Sequence, residues 1–232
     1  MPEFVDVQGA AKELGIGPSR IRALIADGGL DADKVGNRWL VRWDSVAARR
    51  REPAVRGRPM TPRNAWALLL VASGEAFPDS VDPNTRWRIE QALAHHGLAT
   101  LRSRVQRRAQ VHHLWALPGE LRPLHTDRAL VLTGSSAAGT LALGLAAPDV
   151  IDAYVQAGHL GRLVREYGLE GAQASRANVT LRAVPEDAWV LSGRRVAPHA
   201  AVALDLASYA DSRSERVGSE LLARLDAKRD PG

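Results

Sequence analysis

Residues 6–46, DVQGAAKELGIGPSRIRALIADGGLDADKVGNRWLVRWDSV, decide how the chain begins. Asp6 is a ready N-cap for a short helix carrying Val7, Ala10, Ala11 and Leu14 at helical spacing. Gly15-Ile16-Gly17 breaks that helix, since glycine takes positive φ without penalty and Ile16 is left to plug the corner. Pro18 suits the first helical position and Ser19 the first turn of a second helix. Its Ile21, Leu24 and Ile25 face inward, and Ser19, Arg20, Arg22 and Ala23 face out. Gly28-Gly29 stops it. Two short apolar-alternating runs follow, Lys34-Val35 and Arg38 to Arg42, joined by Gly36-Asn37, a dipeptide suited to a two-residue hairpin turn. The stretch therefore reads as helix, tight turn, helix and β-hairpin.

Such a unit, a helix-turn-helix with a wing, sets the first turn of its second helix against base edges in the major groove of duplex DNA. On that geometry Arg20 and Arg22 are placed for guanine edges or phosphates and Ser19 for a phosphate. Asn37 and Arg38 at the wing tip reach backbone or minor groove. Taken singly, each is an ordinary solvated residue, and it is their joint placement that carries the expectation. In this respect AAKELGIGPSRIRALIADGGLDADKVGNRWLV resembles the winged helix-turn-helix of the MerR and excisionase group.

The composition frames the rest. The 232 residues, 45% of them hydrophobic, suit two compact domains or one with appendages. The absence of cysteine excludes disulfides and thiolate metal sites and fits a reducing compartment. No apolar run reaches membrane-spanning length, and MPEFVDV lacks the basic region and apolar core of a signal peptide. The expectation is a cytoplasmic protein with no membrane partner. The net charge of +5 comes from the first 126 residues, while the remainder is close to neutral. Phosphate binding belongs with the first half on this count, and the second half suits another kind of contact.

After the wing, Asp44 caps a short helix that runs into Arg49, Arg50 and Arg51. A Pro/Gly-punctuated connector with Arg56 and Arg58 follows, and Arg63 opens the next helix. These arginines read either as a solvated linker or as further phosphate contacts, and Arg49, Arg50, Arg56, Arg58 and Arg63 are carried as candidates. Thr61-Pro62 and Asp82-Pro83 each signal a helix start. A third helical stretch over residues 98–109 sets Leu98, Leu101 and Val105 against Arg102, Arg104, Arg107 and Arg108, the latter a solvated face or a phosphate-tracking stripe. His95, His96, His112 and His113 point different ways and have no acid at ligand spacing, so no metal site is expected.

From Val111 the texture changes to alternating strands and helices around a mixed sheet of about four strands. The fold class is α+β: an N-terminal winged helix-turn-helix over residues 1–52, a basic linker over 53–60, a helical connector over 61–109 and a C-terminal α/β domain over 110–232. RPMTPRNAWALLLVASGE, LVLTGSSAAGTLAL and RRVAPHAAVALDLASYADSRSERVGSELLARL are similar to the AbiEi-type antitoxin and viral-defence regulator group. That resemblance implies a repressor of its own or a neighbouring operon, paired with a nucleotidyltransferase-like toxin. It further marks 110–232 as an antitoxin-like, protein-interaction domain, and self-association on DNA is a further use of it. The head departs from that group's usual one.

An enzyme is the alternative. LTGSS at residues 132–136 also resembles the Gly-Ser start of nucleotidyltransferases, which need two carboxylates at i and i+2 of a strand to hold magnesium. Here the nearest acids, Asp149 and Asp152, are three apart and fall on opposite faces of a strand. No catalytic residues and no cofactor are therefore assigned.

Overall fold

A computed structural model describes residues 3–26, 29–36, 38–51, 59–145, 149–209 and 211–229. Within these the protein is mixed α and β with two separate sheets. It divides into two compact units, residues 1–54 with 173–176 and residues 55–172 with 177–232. No helix among the described residues is long and apolar enough to cross a membrane.

The first unit runs β1 (Phe4–Asp6), α1 (Val7–Leu14), α2 (Pro18–Ala26), β2 (Ala32–Val35), β3 (Arg38–Arg42) and α3 (Trp43–Arg51). Asp6 caps α1 through its carboxylate, which accepts from the Gly9 amide at 2.7 Å. Gly15 ends α1 at φ 64°, where a side chain would be strained. The antiparallel sheet has the order β1-β3-β2, with Val35 opposite Arg38 at the hairpin end. A small core of Val7, Ala10, Ala11, Ile21, Leu24, Leu30, Val41 and Val46 holds the helices on the sheet.

The second unit contains α4 (Pro62–Ala72), α5 (Pro83–Thr100), β4 (Gln110–Trp115), α6 (Pro118–Thr126), β5 (Val131–Leu132) and α7 (Gly134–Ala138). It continues with β6 (Ile151–Gln156), α8 (Ala157–Glu166), β7 (Glu170–Gly171), β8 (Val179–Val184), α9 (His199–Leu206) and α10 (Ser212–Arg229). Thr61 and Asp82 cap α4 and α5, each with proline in the first turn. The sheet order is β5-β6-β8-β4-β7, with β6 and β8 parallel and the other pairs antiparallel. Trp66, Leu68 and Leu69 of α4 and Ile89 and Leu93 of α5 share one core with Tyr154 and Leu181 of the sheet. Val202, Leu204, Leu206, Leu221, Leu222 and Leu225 of the two closing helices are buried in that same core. At their crossing, a Cβ on Gly218 would fall 2.3 Å from the Ala207 amide, so only glycine permits this approach of α10 to α9.

The stretch expected as a helix over residues 98–109 differs. Gly97 interrupts α5 at φ 67°, and after Thr100 the chain forms two 3-10 turns, Leu101–Arg104 and Gln106–Arg108. The Asp226 carboxylate accepts from the Leu98 amide at 2.8 and 3.0 Å, capping the restart from a distant helix.

Candidate nucleic-acid interface

Of the ten residues expected to touch DNA, Asn37, Arg56 and Arg58 lie outside the described residues. Three others stand together on α2. Ile21 and Leu24 are buried beneath that helix, so its period turns Ser19, Arg20 and Arg22 to solvent. Arg38, at the start of β3, is exposed as well. Among the described residues, none of these three arginines makes an ion pair or a side-chain hydrogen bond. Next to it on the hairpin, the Lys34 ammonium lies over the Trp39 ring at 5.9 Å, and β2 ends on the exposed Val35.

The remaining candidates are engaged elsewhere. Arg50 pairs with Glu13 at 2.9 Å, which ties α3 to α1 at an exposed site where such a pair adds little stability. Arg49 is half-buried. Arg63 belongs to the second unit, where its Nε donates to the Asp187 carbonyl at 3.3 Å. The structure thus leaves Ser19, Arg20 and Arg22 exposed on α2, with the two arginines on opposite flanks of the helix. It leaves Arg38 unpaired among the described residues of the same unit and sets Arg63 in the other unit.

The arginine series after α5 makes no continuous stripe. Arg86 donates from Nε to the Val81 carbonyl at 2.8 Å and stacks over Phe77. Arg108 is buried. Its guanidinium donates to Tyr154 Oη at 2.8 Å and to Asp205 Oδ1 at 2.5 Å. Asp205, fully buried on α9, also accepts from Thr133 Oγ1 at 2.6 Å and Tyr154 Oη at 2.7 Å. Burial alone would raise the Asp205 pKa, but Arg182 and Arg108 outweigh it and hold the carboxyl below the ordinary aspartate range. Burial and the Asp205 charge push the Tyr154 hydroxyl upward against the two arginines.

The network explains what became of the LTGSS segment. Gly134 opens α7 at φ 49°, and a Cβ there would come within 2.5 Å of Asp152 Oδ2. Asp152 lies on β6 and is 1% exposed. Its two oxygens accept from Arg182 at 2.9 Å each, and Tyr209 Oη adds a third bond at 2.7 Å. Asp149 precedes the strand and is exposed. Two positions beyond Asp152 on the same strand face stands Tyr154, where a metal-binding pair would carry its second carboxylate. Among the described residues, no three His, Cys, Asp or Glu side chains gather as metal ligands.

This paired network is what sequence reasoning missed. A signal for it was available, because Thr180-x-Arg182 and Asp152-x-Tyr154 each set two polar groups on one face of a largely buried strand. In comparison with known proteins, the chain matches no family model, no curated protein and no solved structure.

Proposed function

We propose that the protein is a sequence-specific DNA-binding regulator whose first unit is a winged helix-turn-helix. In this reading α2 enters the major groove, with Arg20 and Arg22 on base edges and Ser19 on a phosphate, and Arg38 of the wing contacts the backbone. One observation carries it: α2 buries Ile21 and Leu24 while Arg20 and Arg22, exposed on its two flanks, have no carboxylate partner among the described residues. Exposed cations left unpaired on a short helix after a two-glycine turn are available to an external anion.

The resemblance of the second unit to AbiEi-type antitoxins supports a narrower role, repression of its own operon in the cytoplasm alongside a nucleotidyltransferase-like toxin. The nucleotidyltransferase-like reading of this chain itself ranks second, since Asp152 is committed to Arg182 and Tyr209. Two heads spaced along a repeated operator would raise affinity beyond what one small head gives.

The test is fluorescence anisotropy of the full chain on a 30-base-pair duplex from the region upstream of its own gene. Specific binding should resist competing poly(dI·dC), and its log affinity should fall linearly with log salt. Binding that is indistinguishable from that to a scrambled duplex contradicts the reading.

A further inference from the structure

Between the two arginine flanks of α2 lies Ala23. The buried Ile21 and Leu24 and the half-buried Ile25 set the inward direction of the helix. At about 100° per residue, Ala23 falls within roughly 40° of the opposite direction, whereas Arg20 and Arg22 stand roughly 60–100° to either side. Both arginines are exposed, and Ala23 keeps part of its surface open. Two long guanidinium side chains therefore flank a centre whose side chain at Ala23 is a single methyl group.

This placement divides the work of the helix. Side chains that diverge from opposite flanks reach different base pairs, so Arg20 and Arg22 cannot share one. The base pair met by the centre of the face meets a methyl instead. In the major groove the base edges carry hydrogen-bonding groups, and thymine adds a C5-methyl. A polar edge pressed against Ala23 loses water and gains no partner, which is unfavourable. A thymine methyl in the same place buries apolar surface on both sides.

We propose that Ala23 is a specificity-determining residue of the first unit, selecting a thymine through its C5-methyl at a base pair that neither arginine reads. The proposal rests on the reading of α2 as the DNA-contacting helix and names a base that this helix prefers.

The test uses a duplex selected by the full chain from a randomised pool. Each of its thymines is replaced singly by 2′-deoxyuridine, which removes the methyl and leaves the base pairing intact. One replacement per half-site should weaken binding of the parent chain about three- to fivefold, the loss of one buried methyl. In an Ala23→Gly variant with an unchanged circular dichroism spectrum that ratio should fall to about one, and a general loss of affinity cancels from it. A pool that enriches no sequence contradicts the DNA-binding reading and this inference with it. A duplex that is enriched and loses affinity for the Arg20→Ala variant, yet tolerates every deoxyuridine, overturns the thymine preference alone. So does a deoxyuridine penalty that persists undiminished in the folded Ala23→Gly variant.

Discussion

Arginine does opposite work in the two units. On α2, Arg20 and Arg22 stand in solvent with no carboxylate to answer them among the described residues. Around β6 and β8, Arg108 and Arg182 are almost wholly buried, and Asp152, Asp205 and Tyr154 answer every approach of charge. An exposed, unpaired guanidinium keeps its hydrogen-bonding fork for an outside ligand, whereas a buried and paired one is part of the architecture. The contrast leaves the exposed arginines of α2 available to an outside ligand and makes Arg108, Arg182, Asp152 and Asp205 part of the second unit's scaffold.

Substitutions in both units test that contrast. The largest effect belongs to Asp205→Ala, which leaves the buried Arg108 without a carboxylate, takes one of two from Arg182, and should cost about 3–5 kcal/mol in urea unfolding of the full chain. Arg20→Ala should change the same measurement by less than about 0.5 kcal/mol. Comparable losses at the two sites would dissolve the distinction. Next in size comes Gly134→Ala. Positive φ costs an L-residue roughly 1–2 kcal/mol, and crowding against Asp152 and Tyr209 adds roughly 1–3 more. Gly36→Ala, at φ 59° but with open space around its Cβ, should lose only the first of these amounts, about 1–2 kcal/mol. An equal cost at both glycines would mean that the α7 start yields easily.

The acid response follows from the same network. Asp205 has its folded pKa depressed, so its contribution is complete above the unfolded aspartate value of about 3.9 and is lost as pH falls below it. Asp127 acts in the same direction. The urea midpoint should therefore hold steady from pH 7 to 5 and fall below about pH 4. Asp205→Asn should shallow that fall, and an unchanged slope would show that Asp205 is not a source of it.

Much of the fold was legible because its signals are local. The caps at Asp6, Thr61 and Asp82, the Gly15 corner, the hairpin through Gly36 and the buried strand Ile151–Gln156 each depend on residues a few positions apart. β1 escaped because three residues, Phe4–Asp6, become a strand only by pairing with β3 some 35 residues later. Arg108 was misleading for the same reason. Locally it belongs to a run of arginines, and the aspartate that draws it inward lies 97 positions away. On the recognition side, the outward face of α2 could be read from helical period alone, and Arg20, Arg22 and Ser19 are exposed as that period requires. The engagement of Arg50 by Glu13 and the place of Arg63 in the other unit depended on tertiary structure.

Whether α2 reads DNA is tested by the affinity of Arg20→Ala and Arg22→Ala for a duplex selected by the full chain from a randomised pool. Each variant should lose about 1–3 kcal/mol of binding and relax preference at one base position, with an unchanged circular dichroism spectrum. Arg38→Ala should instead weaken binding to all duplexes alike and reduce the salt slope by about one. If the pool enriches no sequence, or if the folded Arg20→Ala/Arg22→Ala double variant binds as tightly as the parent, α2 is not the reader.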